Sequence, residues 1–342
     1  KCIELGNEWI KAMEVNLSEM EKSLNGADKL KHKDDIKSNR DHLDSLKNKN
    51  SSEWREYATQ CMIEIMNHKE LQIKSVKYRK KILEIIYNGG AGHTAGSLSC
   101  IDILNVLYNN VLQIDPNNFH SINRNRYIQS KGHSVEALYT VLCDKGFFQN
   151  SELSTLNKFS SHFIGHPTRK INGIEHNTGA LGHGISVSVG MSIAYKLDKK
   201  PYYVFTLLGD GELSEGSVWE AFNSASKYQL DNLVVIIDRN QLQITGKTEE
   251  VNPIEPLKEK LTSFGFEVKE IDGNNIINLN DIFKKIPFKK NKPNLILANT
   301  CKGKGISFME NVINWHHRVP TEDEYKLAIL ELNNQEKKLQ NE

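Results

Sequence analysis

Two short apolar runs constrain the fold of this 342-residue chain more than any other feature. They are VFTLL at 204–208 and LVVII at 233–237, and both are rich in β-branched residues and bounded by turn-forming residues. Runs of that kind predict buried strands. Residues 214–228, between them, carry apolar side chains at helical spacing. The stretch is therefore predicted to form one strand–helix–strand unit.

The same alternation extends along the middle of the chain. Helical patterns occur at 71–90, 101–112, 135–146, 181–198 and 279–286, and strand patterns at 126–130, 266–272 and 293–300. This order predicts an α/β fold, a parallel sheet with helices on both faces, in which ligands bind beyond the carboxyl ends of the strands. Residues 1–70 are highly charged and predict an added N-terminal helical segment of unknown role. Residues 331–342 predict a polar C-terminal tail.

Composition excludes several kinds of partner. Lys and Arg number 44 and Asp and Glu 43, for a net charge of +1, so no overall basic field favours nucleic acid or an anionic membrane. The chain has no run of about 18 apolar residues, so no membrane span is predicted.

The five cysteines are scattered without a CxxC pair, which indicates reduced thiols and a cytoplasmic protein. The start lacks an initiator Met and the apolar core of a signal peptide, so we expect a trimmed N-terminus.

Polar residues follow both apolar runs, with Asp210 after the first and Asn240 after the second. In a parallel sheet the two strand ends can be neighbours at one edge, where a carboxylate, an amide oxygen and a backbone carbonyl can meet. Hard oxygen ligands of this kind suit Mg²⁺, which keeps positions for phosphate oxygens. Gly209 and Gly211 allow the backbone to approach a diphosphate, and the helix that begins near Ser214 offers amide N–H groups.

A GDG turn at a strand end, one helix and then a second strand that ends in Asn resemble the thiamin-diphosphate motif of enzymes that use this cofactor. Six ordered segments also resemble the N-terminal half of a transketolase. They are GGAGHTAGSLS (89–99), NRNRYIQSKGHSVEALY (123–139), IGHPTR (164–169), NTGALGHGISVSVGMSIAYKL (177–197), GDGELSEG (209–216) and WHHRVP (315–320). The resemblance covers residues 71–330 and implies a thiamin-diphosphate-binding domain there.

The resemblance also implies where the cofactor and its metal bind. Asp210 and the Asn240 side chain would hold Mg²⁺, with the backbone carbonyl of Leu242 as a third protein ligand. Gly211 and His133 would contact the diphosphate of thiamin diphosphate.

Four further positions carry implied roles around the cofactor. Gly179 and Leu181 of TGALG, together with Ile244, would line the thiazolium ring and its linker to the pyrimidine. Glu215 of LSEG resembles the glutamate that meets a glutamate of the partner domain and couples paired active sites.

Four histidines, His93, His133, His166 and His316, lie in separate segments of the resemblance. In ketol transfer the C2–C3 bond of a ketose breaks only if the C3 hydroxyl loses its proton, and the acceptor aldehyde oxygen later gains one. Imidazole of near-neutral pKa can serve both steps. The resemblance implies His93 and His316 for this proton transfer, and His166 for a hydrogen bond to the C1 hydroxyl of the donor.

Three positions depart from the usual pattern. Thr94 follows the first histidine where Pro or another residue is common, His183 stands where Gln is common, and His317 stands where Gly is common. We expect His316 rather than His317 to face the substrate, and a structural role for His183.

Complete transketolases continue with a pyrimidine-binding domain, which holds the glutamate that activates the cofactor, and a C-terminal domain. The chain therefore resembles the N-terminal subunit of a split transketolase, whose partner is a separately encoded C-terminal transketolase subunit. We expect a heterotetramer that acts on sugar phosphates, as in the pentose phosphate pathway, and an isolated chain that is catalytically idle. Groups that grip the distal phosphate lie in the other half, so pentose-phosphate sugars and branched, deoxy or sulfonated ones all stay open.

Three alternatives have specific signatures. The α subunit of a 2-oxo acid dehydrogenase would share the metal motif but not the histidines of the GH, KGH and GHP segments. A deoxyxylulose-phosphate synthase shares more, including a KGKG-like segment at 302–305, but is normally one long chain. A non-catalytic binding module that kept the fold is disfavoured by the intact Asp210, Asn240 and four histidines.

Overall fold

The computed structural model of the chain describes residues 2–23, 33–47 and 51–341. The chain divides into two compact units, Lys1–Lys69 and Glu70–Glu342. Each unit has a core of its own, and the residues of the predicted site lie in the second unit. The functional division into a helical extension and a cofactor-binding domain stays a prediction.

Helices make up the described part of the first unit. Their bounds are Cys2–Ser23 for α1, Lys33–Lys47 for α2 and Ser51–Gly89 for α3, whose residues from Glu70 onward belong to the second unit. α1 and α2 pack on each other, with Ile10 and Leu43 buried at their contact. α3 begins well before the helix predicted at 71–90, so that prediction covered only its second half.

A five-stranded sheet forms the centre of the second unit. Its strands are β1, Arg126–Gln129; β2, Val204–Gly209; β3, Leu233–Arg239; β4, Glu267–Asp272; and β5, Asn294–Asn299. All neighbouring strands are parallel, in the order β1-β2-β3-β5-β4. The parallel sheet predicted from the alternation of helices and strands is confirmed.

Helices and short turns connect these strands. The helices are α4, Thr94–Val106; α5, Val135–Asp144; α6, Asn150–Leu153; α7, His183–Leu197; α8, Gly216–Lys227; α9, Thr248–Val251; α10, Leu257–Ser263; α11, Ile276–Lys284; and α12, Glu322–Asn341. A π-helical turn at Leu107–Val111 extends α4, and 3₁₀ turns lie at Gly132–Ser134, Gly211–Ser214 and Ile313–Trp315. Two of these 3₁₀ turns directly follow β1 and β2, at the edge where ligands are expected.

Both faces of the sheet are covered, as the apolar runs predicted. Val234 and Ile236 of β3 pack into one core cluster with residues of α4, α5, α11 and α12. Val235 and Ile237 pack into a second cluster with residues of α7, α8 and α10. Because successive strand residues point to opposite faces, burial on both faces explains why β3 is apolar without alternation.

Two further helices, besides α3, are longer than their patterns predicted. α4 begins at Thr94 rather than near 101, so it includes the small residues of the GHTAGSLS segment. α12 continues through the polar C-terminal residues to Asn341. Tertiary contacts explain the second difference, because Glu336 of α12 accepts a hydrogen bond from Lys80 of α3 at 2.5 Å. In the described part of the chain, no helix is long and apolar enough to span a membrane.

Candidate functional site

The register of β2 and β3 brings the two predicted side-chain metal ligands to one edge of the sheet. Gly209 pairs with Asp238, so the residues that follow each strand emerge side by side. One carboxylate oxygen of Asp210 accepts a hydrogen bond from the Gln241 amide at 2.6 Å, and Gln241 directly follows Asn240. The predicted meeting of Asp210 and Asn240 beyond adjacent strand ends is thus found in the structure.

Asp210 is a buried carboxyl group, and the residue is only 2% exposed. Its hydrogen bonds come from the amides of Gly211 and Gln241 and, at 3.4 Å, from the Thr248 hydroxyl. Among the described residues no Lys or Arg forms an ion pair with it. Burial raises the pKa of Asp210 to about 6, and the neighbouring charge of Asp238 adds to this effect. An ionised carboxylate in such surroundings is stabilised when a cation binds it.

The third predicted metal ligand, the Leu242 carbonyl, already has a partner. Lys302 Nζ donates to this carbonyl at 2.8 Å and lies 2.8 Å from His316 Nδ1. In the described residues no three His, Cys, Asp or Glu side chains are grouped so that they could hold a metal ion. The predicted ligand set differs from such a group, because it has one carboxylate, one amide oxygen and one backbone carbonyl. Asp210 and Asn240 therefore fit Mg²⁺. The Leu242 carbonyl keeps a second lone pair and could bind the ion if Lys302, whose pKa burial lowers to about 7, loses its positive charge.

A buried ion pair lies beneath this edge. Lys131, in the turn after β1, is 2% exposed, and its Nζ pairs with Asp238 of β3, which is 0% exposed. Asp238 also accepts hydrogen bonds from Ser99 Oγ at 2.6 Å and from Thr300. Burial alone would lower the pKa of Lys131, but the charge of Asp238 outweighs it and the pKa is raised. The pair is therefore ionised, and its two opposite charges offset each other beneath this edge.

The four predicted histidines converge at the same edge. The ring centroid of His93 lies 5.3 Å from that of His133, 5.9 Å from that of His166 and 5.9 Å from that of His316. The rings of His133 and His316 stack at 5.3 Å. A fifth ring, that of His317, lies 4.6 Å from His93. Segments that are far apart in the sequence therefore form one histidine cluster, which we define as these five residues.

Four members of the histidine cluster are neutral at neutral pH. Burial lowers the pKa of His93 and of His316 to about 3, and the neighbouring histidines and lysines add to the effect. Burial also holds the pKa of His133 well below its usual range, and it lowers the pKa of His166. A neutral imidazole has one N–H donor and one acceptor nitrogen, so each ring can accept a hydrogen bond from a hydroxyl. The near-neutral pKa expected for proton transfer is not found in His93 and His316.

His316 and His317 differ in their surroundings. His316 is half-buried and its Nδ1 is held by Lys302, whereas His317 is exposed and close to the His93 ring. The Thr94 hydroxyl donates to the Arg318 carbonyl at 2.6 Å, which ties this loop to the start of α4. The departure at Thr94 thus helps to bring both histidines to His93, and the choice of His316 as the substrate-facing residue stays a prediction.

The remaining predicted cofactor contacts lie on the loops around the cluster. A Cβ at Gly179, whose φ is +146°, would lie 2.9 Å from His166 Cδ2, so only glycine fits there. Leu181 is partly exposed, Glu215 is exposed and Ile244 is 63% exposed. These last two side chains are therefore accessible to a ligand or to a second chain.

Sequence reasoning missed several buried charged residues at this site. Besides Lys131 and Lys302, they include Glu136 and Glu212, both fully or almost fully buried. Glu212 accepts from the Gly182 amide at 2.9 Å and thereby holds the TGALG loop against the GDGE turn. The sequence did contain a signal for the two lysines. Lys131 lies in the KGH segment and Lys302 begins the KGKG segment, and each of them closely follows a strand.

Comparison with known proteins agrees with this geometry. Residues 72–337 match the family described as "Transketolase, thiamine diphosphate binding domain". The chain is 45% identical over 277 residues to an apulose-4-phosphate transketolase subunit of Phocaeicola vulgatus, covering 81% of this chain and 99% of that protein. It is 41% identical over 264 residues to the 6-deoxy-6-sulfo-D-fructose transketolase subunit SqwG of Clostridium sp. strain MSTE9, covering 77% and 96% of the two chains.

Full-length transketolases match over part of their length. Human transketolase is 38% identical over 231 residues, which cover 66% of this chain and 36% of the human protein. The transketolase structure from Campylobacter jejuni superposes with a TM-score of 0.72 at 26% identity, over 79% of this chain and 45% of that one. The predicted family and fold are confirmed. The chain belongs to the transketolase family of transferases and contains its thiamin-diphosphate-binding domain.

Proposed function

We propose that this chain is the cofactor-binding subunit of a two-subunit transketolase, which transfers a two-carbon ketol unit from a ketose to an aldose. The observation that carries the proposal is the convergence of four neutral histidines beside the Asp210–Asn240 edge. Relatives that are themselves named as transketolase subunits support the division into two chains, because the match covers 99% of one and 97% of another. Membership of the transketolase family favours this interpretation over the dehydrogenase and synthase alternatives.

Thiamin diphosphate and Mg²⁺ are the cofactors of this proposal. Asp210 and Asn240 would hold Mg²⁺ together with the Leu242 carbonyl, and Gly211 and His133 would contact the diphosphate. Gly179, Leu181 and Ile244 would line the thiazolium ring. The chemistry that thiamin diphosphate supplies when bound is a nucleophilic carbon and an acceptor for the electron pair of the broken bond. Burial lowers the pKa of Lys302 to about 7, and an anionic diphosphate at this edge would raise it again.

The histidines would carry the protons of the reaction. His93 and His316, neutral in the structure, would accept the proton of the C3 hydroxyl as the C2–C3 bond breaks and the distal fragment leaves as an aldehyde. Whichever of the two rings has taken up this proton would then give it to the aldehyde oxygen of the acceptor as the new carbon–carbon bond forms. His166 would hydrogen-bond the C1 hydroxyl of the donor. Each positioned acid–base group of this kind contributes about 10²–10⁴ in rate.

The partner in this proposal is a separately encoded chain with the pyrimidine-binding and C-terminal domains, joined in a heterotetramer. Exposed Glu215 would couple the paired sites across the contact with that chain. For the donor we propose an unusual ketose rather than a common pentose phosphate, because relatives matched over nearly their whole length carry the names of apulose 4-phosphate and 6-deoxy-6-sulfofructose. A cytoplasmic location stays a prediction.

The test is a ketol-transfer assay with thiamin diphosphate and Mg²⁺. It would use this chain alone and mixed with the product of the adjacent reading frame, with xylulose 5-phosphate, apulose 4-phosphate or 6-deoxy-6-sulfofructose as donor. We expect turnover only in the mixture, loss of turnover in Asp210→Ala and a fall of about 10²-fold or more in His93→Gln. The matched control is His120→Gln, an exposed histidine outside the histidine cluster.

Each outcome decides one part of the proposal. Turnover by the chain alone would refute the two-subunit assembly. Preference for xylulose 5-phosphate would refute the unusual donor and leave the reaction type standing. No turnover with any donor, although the mixture binds the cofactor, would refute ketol transfer between these sugars. Light scattering on the mixture measures whether the assembly is a heterotetramer.

A further inference from the structure

Glu136 is a buried carboxyl group at the histidine cluster that has no part in the reaction described above. It is the second residue of α5, and it is 0% exposed. Acidic residues at helix N-termini usually stay in contact with solvent, and glutamate is almost never fully buried unless it is paired. Its burial therefore needs specific partners.

Those partners lie on the first turn of another helix. Glu136 Oε1 accepts from the His93 backbone amide at 3.1 Å, and Oε2 accepts from Ser97 Oγ at 2.8 Å. His93 is the N-cap position of α4, with φ −102° and ψ 73°, and its own side chain makes no capping hydrogen bond. A carboxylate from α5 therefore accepts from the N-cap amide, as the glutamate of a capping box does within one helix, and spans the turn that carries His93.

The chain approaches this carboxylate very closely. A Cβ at Gly92 would lie 2.9 Å from Glu136 Oε1 and 2.7 Å from Ile86 Cγ1. Any side chain at position 92 would therefore displace the carboxyl group or the turn. Position 92 therefore requires glycine, because Glu136 and Ile86 leave no space for a side chain there.

The His93 ring itself has little to hold it. Its Nδ1 is buried and makes no hydrogen bond, so the position of the ring depends on its packing and on its backbone. We propose that Glu136 is a positioning residue for ketol transfer, because its carboxylate holds the backbone turn that places the His93 imidazole at the reacting sugar. The catalytic consequence rests on the proposed function, whereas the hydrogen bonds themselves do not.

The charge of Glu136 makes this role depend on pH. Burial raises the pKa of Glu136 to about 7, against its hydrogen bonds and the charge of Lys131, which lower it. The other titratable groups that face it are His93 and Tyr139, and both are neutral near pH 7 because burial lowers the pKa of the first and raises that of the second. A protonated carboxyl would still accept from the His93 amide and would donate its O–H to the Ser97 hydroxyl, so below about pH 7 the hydrogen bond to the His93 amide would remain but lose the strength that a charged acceptor gives it.

The first experiment follows the His93 amide directly in the full chain, without a partner or substrate. The chain is labelled with ¹⁵N-histidine, the His93 signal is assigned with His93→Gln, and its amide shift is recorded from pH 5.5 to 8.5. We expect a titration with a midpoint near 7 in the unchanged chain and no such midpoint in Glu136→Gln. The glutamine keeps the size, an acceptor for His93 and a donor for the Ser97 hydroxyl, and it removes only the charge.

The second experiment measures turnover in the mixture of the two subunits. We expect kcat of the unchanged enzyme to fall below about pH 7 and the kcat of Glu136→Gln to lose this dependence. Glu136→Ala, which removes both acceptors, should lower kcat by about 10²-fold, with an unchanged cofactor Kd. Ser97→Ala, which leaves the His93 amide held, should lower kcat by less than about tenfold.

The two experiments separate the inference from the function on which it rests. A titration near pH 7 that persists in Glu136→Gln, or its absence from the unchanged chain, would refute the carboxylate's hold on His93. An unchanged kcat and pH profile in both Glu136 variants would refute the positioning role. If the unchanged mixture shows no turnover, the proposed function fails, and the amide titration alone decides whether Glu136 holds the His93 turn.

Discussion

Removal of Lys131 tests whether the buried ion pair stabilises the fold around the site. Lys131→Met replaces the ammonium by an apolar group of similar length and leaves Asp238, which is 0% exposed, without its cation. Loss of one partner of a buried pair typically costs about 3–5 kcal/mol, because the other charge stays desolvated. The reference is the free energy of unfolding of the unchanged chain.

The surroundings of Asp238 place the expected loss in the free energy of unfolding near the lower end of this range. Ser99 Oγ donates to it at 2.6 Å, Thr300 also donates and Asn240 Nδ2 donates at 3.4 Å, so the carboxylate keeps three hydrogen bonds in the variant. Hydrogen bonds to a charged group contribute about 1.5–3 kcal/mol each, so we expect Lys131→Met to lower the free energy of unfolding by about 3 kcal/mol. Asp238→Asn should cost a similar amount, because it leaves Lys131 without its anion.

A double-mutant cycle isolates the pair. Lys131→Met combined with Asp238→Asn removes both charges, so the two losses should fail to add by about 2–3 kcal/mol. The assay is urea unfolding followed by the fluorescence of Trp219 and Trp315, with the other tryptophans replaced by phenylalanine. Lys326→Met, which breaks an exposed pair with Glu322, is the matched control and should cause no measurable change. Losses that add within about 0.5 kcal/mol would refute the coupling.

Three further predictions follow from the same region. The pKa of Glu136 is raised from 4.5 to about 7, so the folded chain binds this proton more tightly than the unfolded chain does. The free energy of unfolding should therefore fall by about 3 kcal/mol from pH 4.5 to above pH 7, relative to Glu136→Gln in urea unfolding at each pH. Thr94→Val removes the 2.6 Å hydrogen bond to the Arg318 carbonyl and should cost about 1 kcal/mol in the same assay, and Thr94→Ser should restore it. Gly132→Ala would place a Cβ 2.7 Å from the Gly179 amide nitrogen and should lower the free energy of unfolding by about 1–3 kcal/mol.

Each of the three has a result that would contradict it. Parallel pH profiles for the unchanged chain and Glu136→Gln would mean that the carboxyl group is not desolvated as the structure indicates. Equal stability of Thr94→Val and the unchanged chain would mean that the loop is held by other contacts. A Gly132→Ala chain of unchanged stability would show that the two turns can separate without loss.

Local pattern sufficed for the five strands, for most of the longer helices and for part of the site. The strands that end before Asp210 and Asn240 are apolar, β-branched and bounded by turns, so each can be recognised without knowledge of its neighbours. The sequence allowed their proximity but did not determine it, because the ends of two parallel strands meet only if the strands are neighbours, as they are in the structure. The strand order β1-β2-β3-β5-β4 was not predicted, because the residues of a strand do not determine which strand pairs with it.

The histidines show a second limit. Motif positions predicted that His93, His133, His166 and His316 belong to one site, and the structure brings them together. The sequence indicated neither that burial makes the rings neutral nor that Lys302 reaches both the Leu242 carbonyl and His316. Those properties depend on how closely the loops pack.

The sequence by itself determined the α/β architecture, the family and the positions of the chemical groups, because periodicity and motifs are local. The tertiary structure decided which charged groups are buried and what they contact. Lys131 and Asp238 are 107 residues apart, and Glu136 and Ser97 are 39 apart. A lysine or glutamate in the sequence normally indicates an exposed position. The free energy of burying its charge depends on distances in space to partners that only the folded chain brings near.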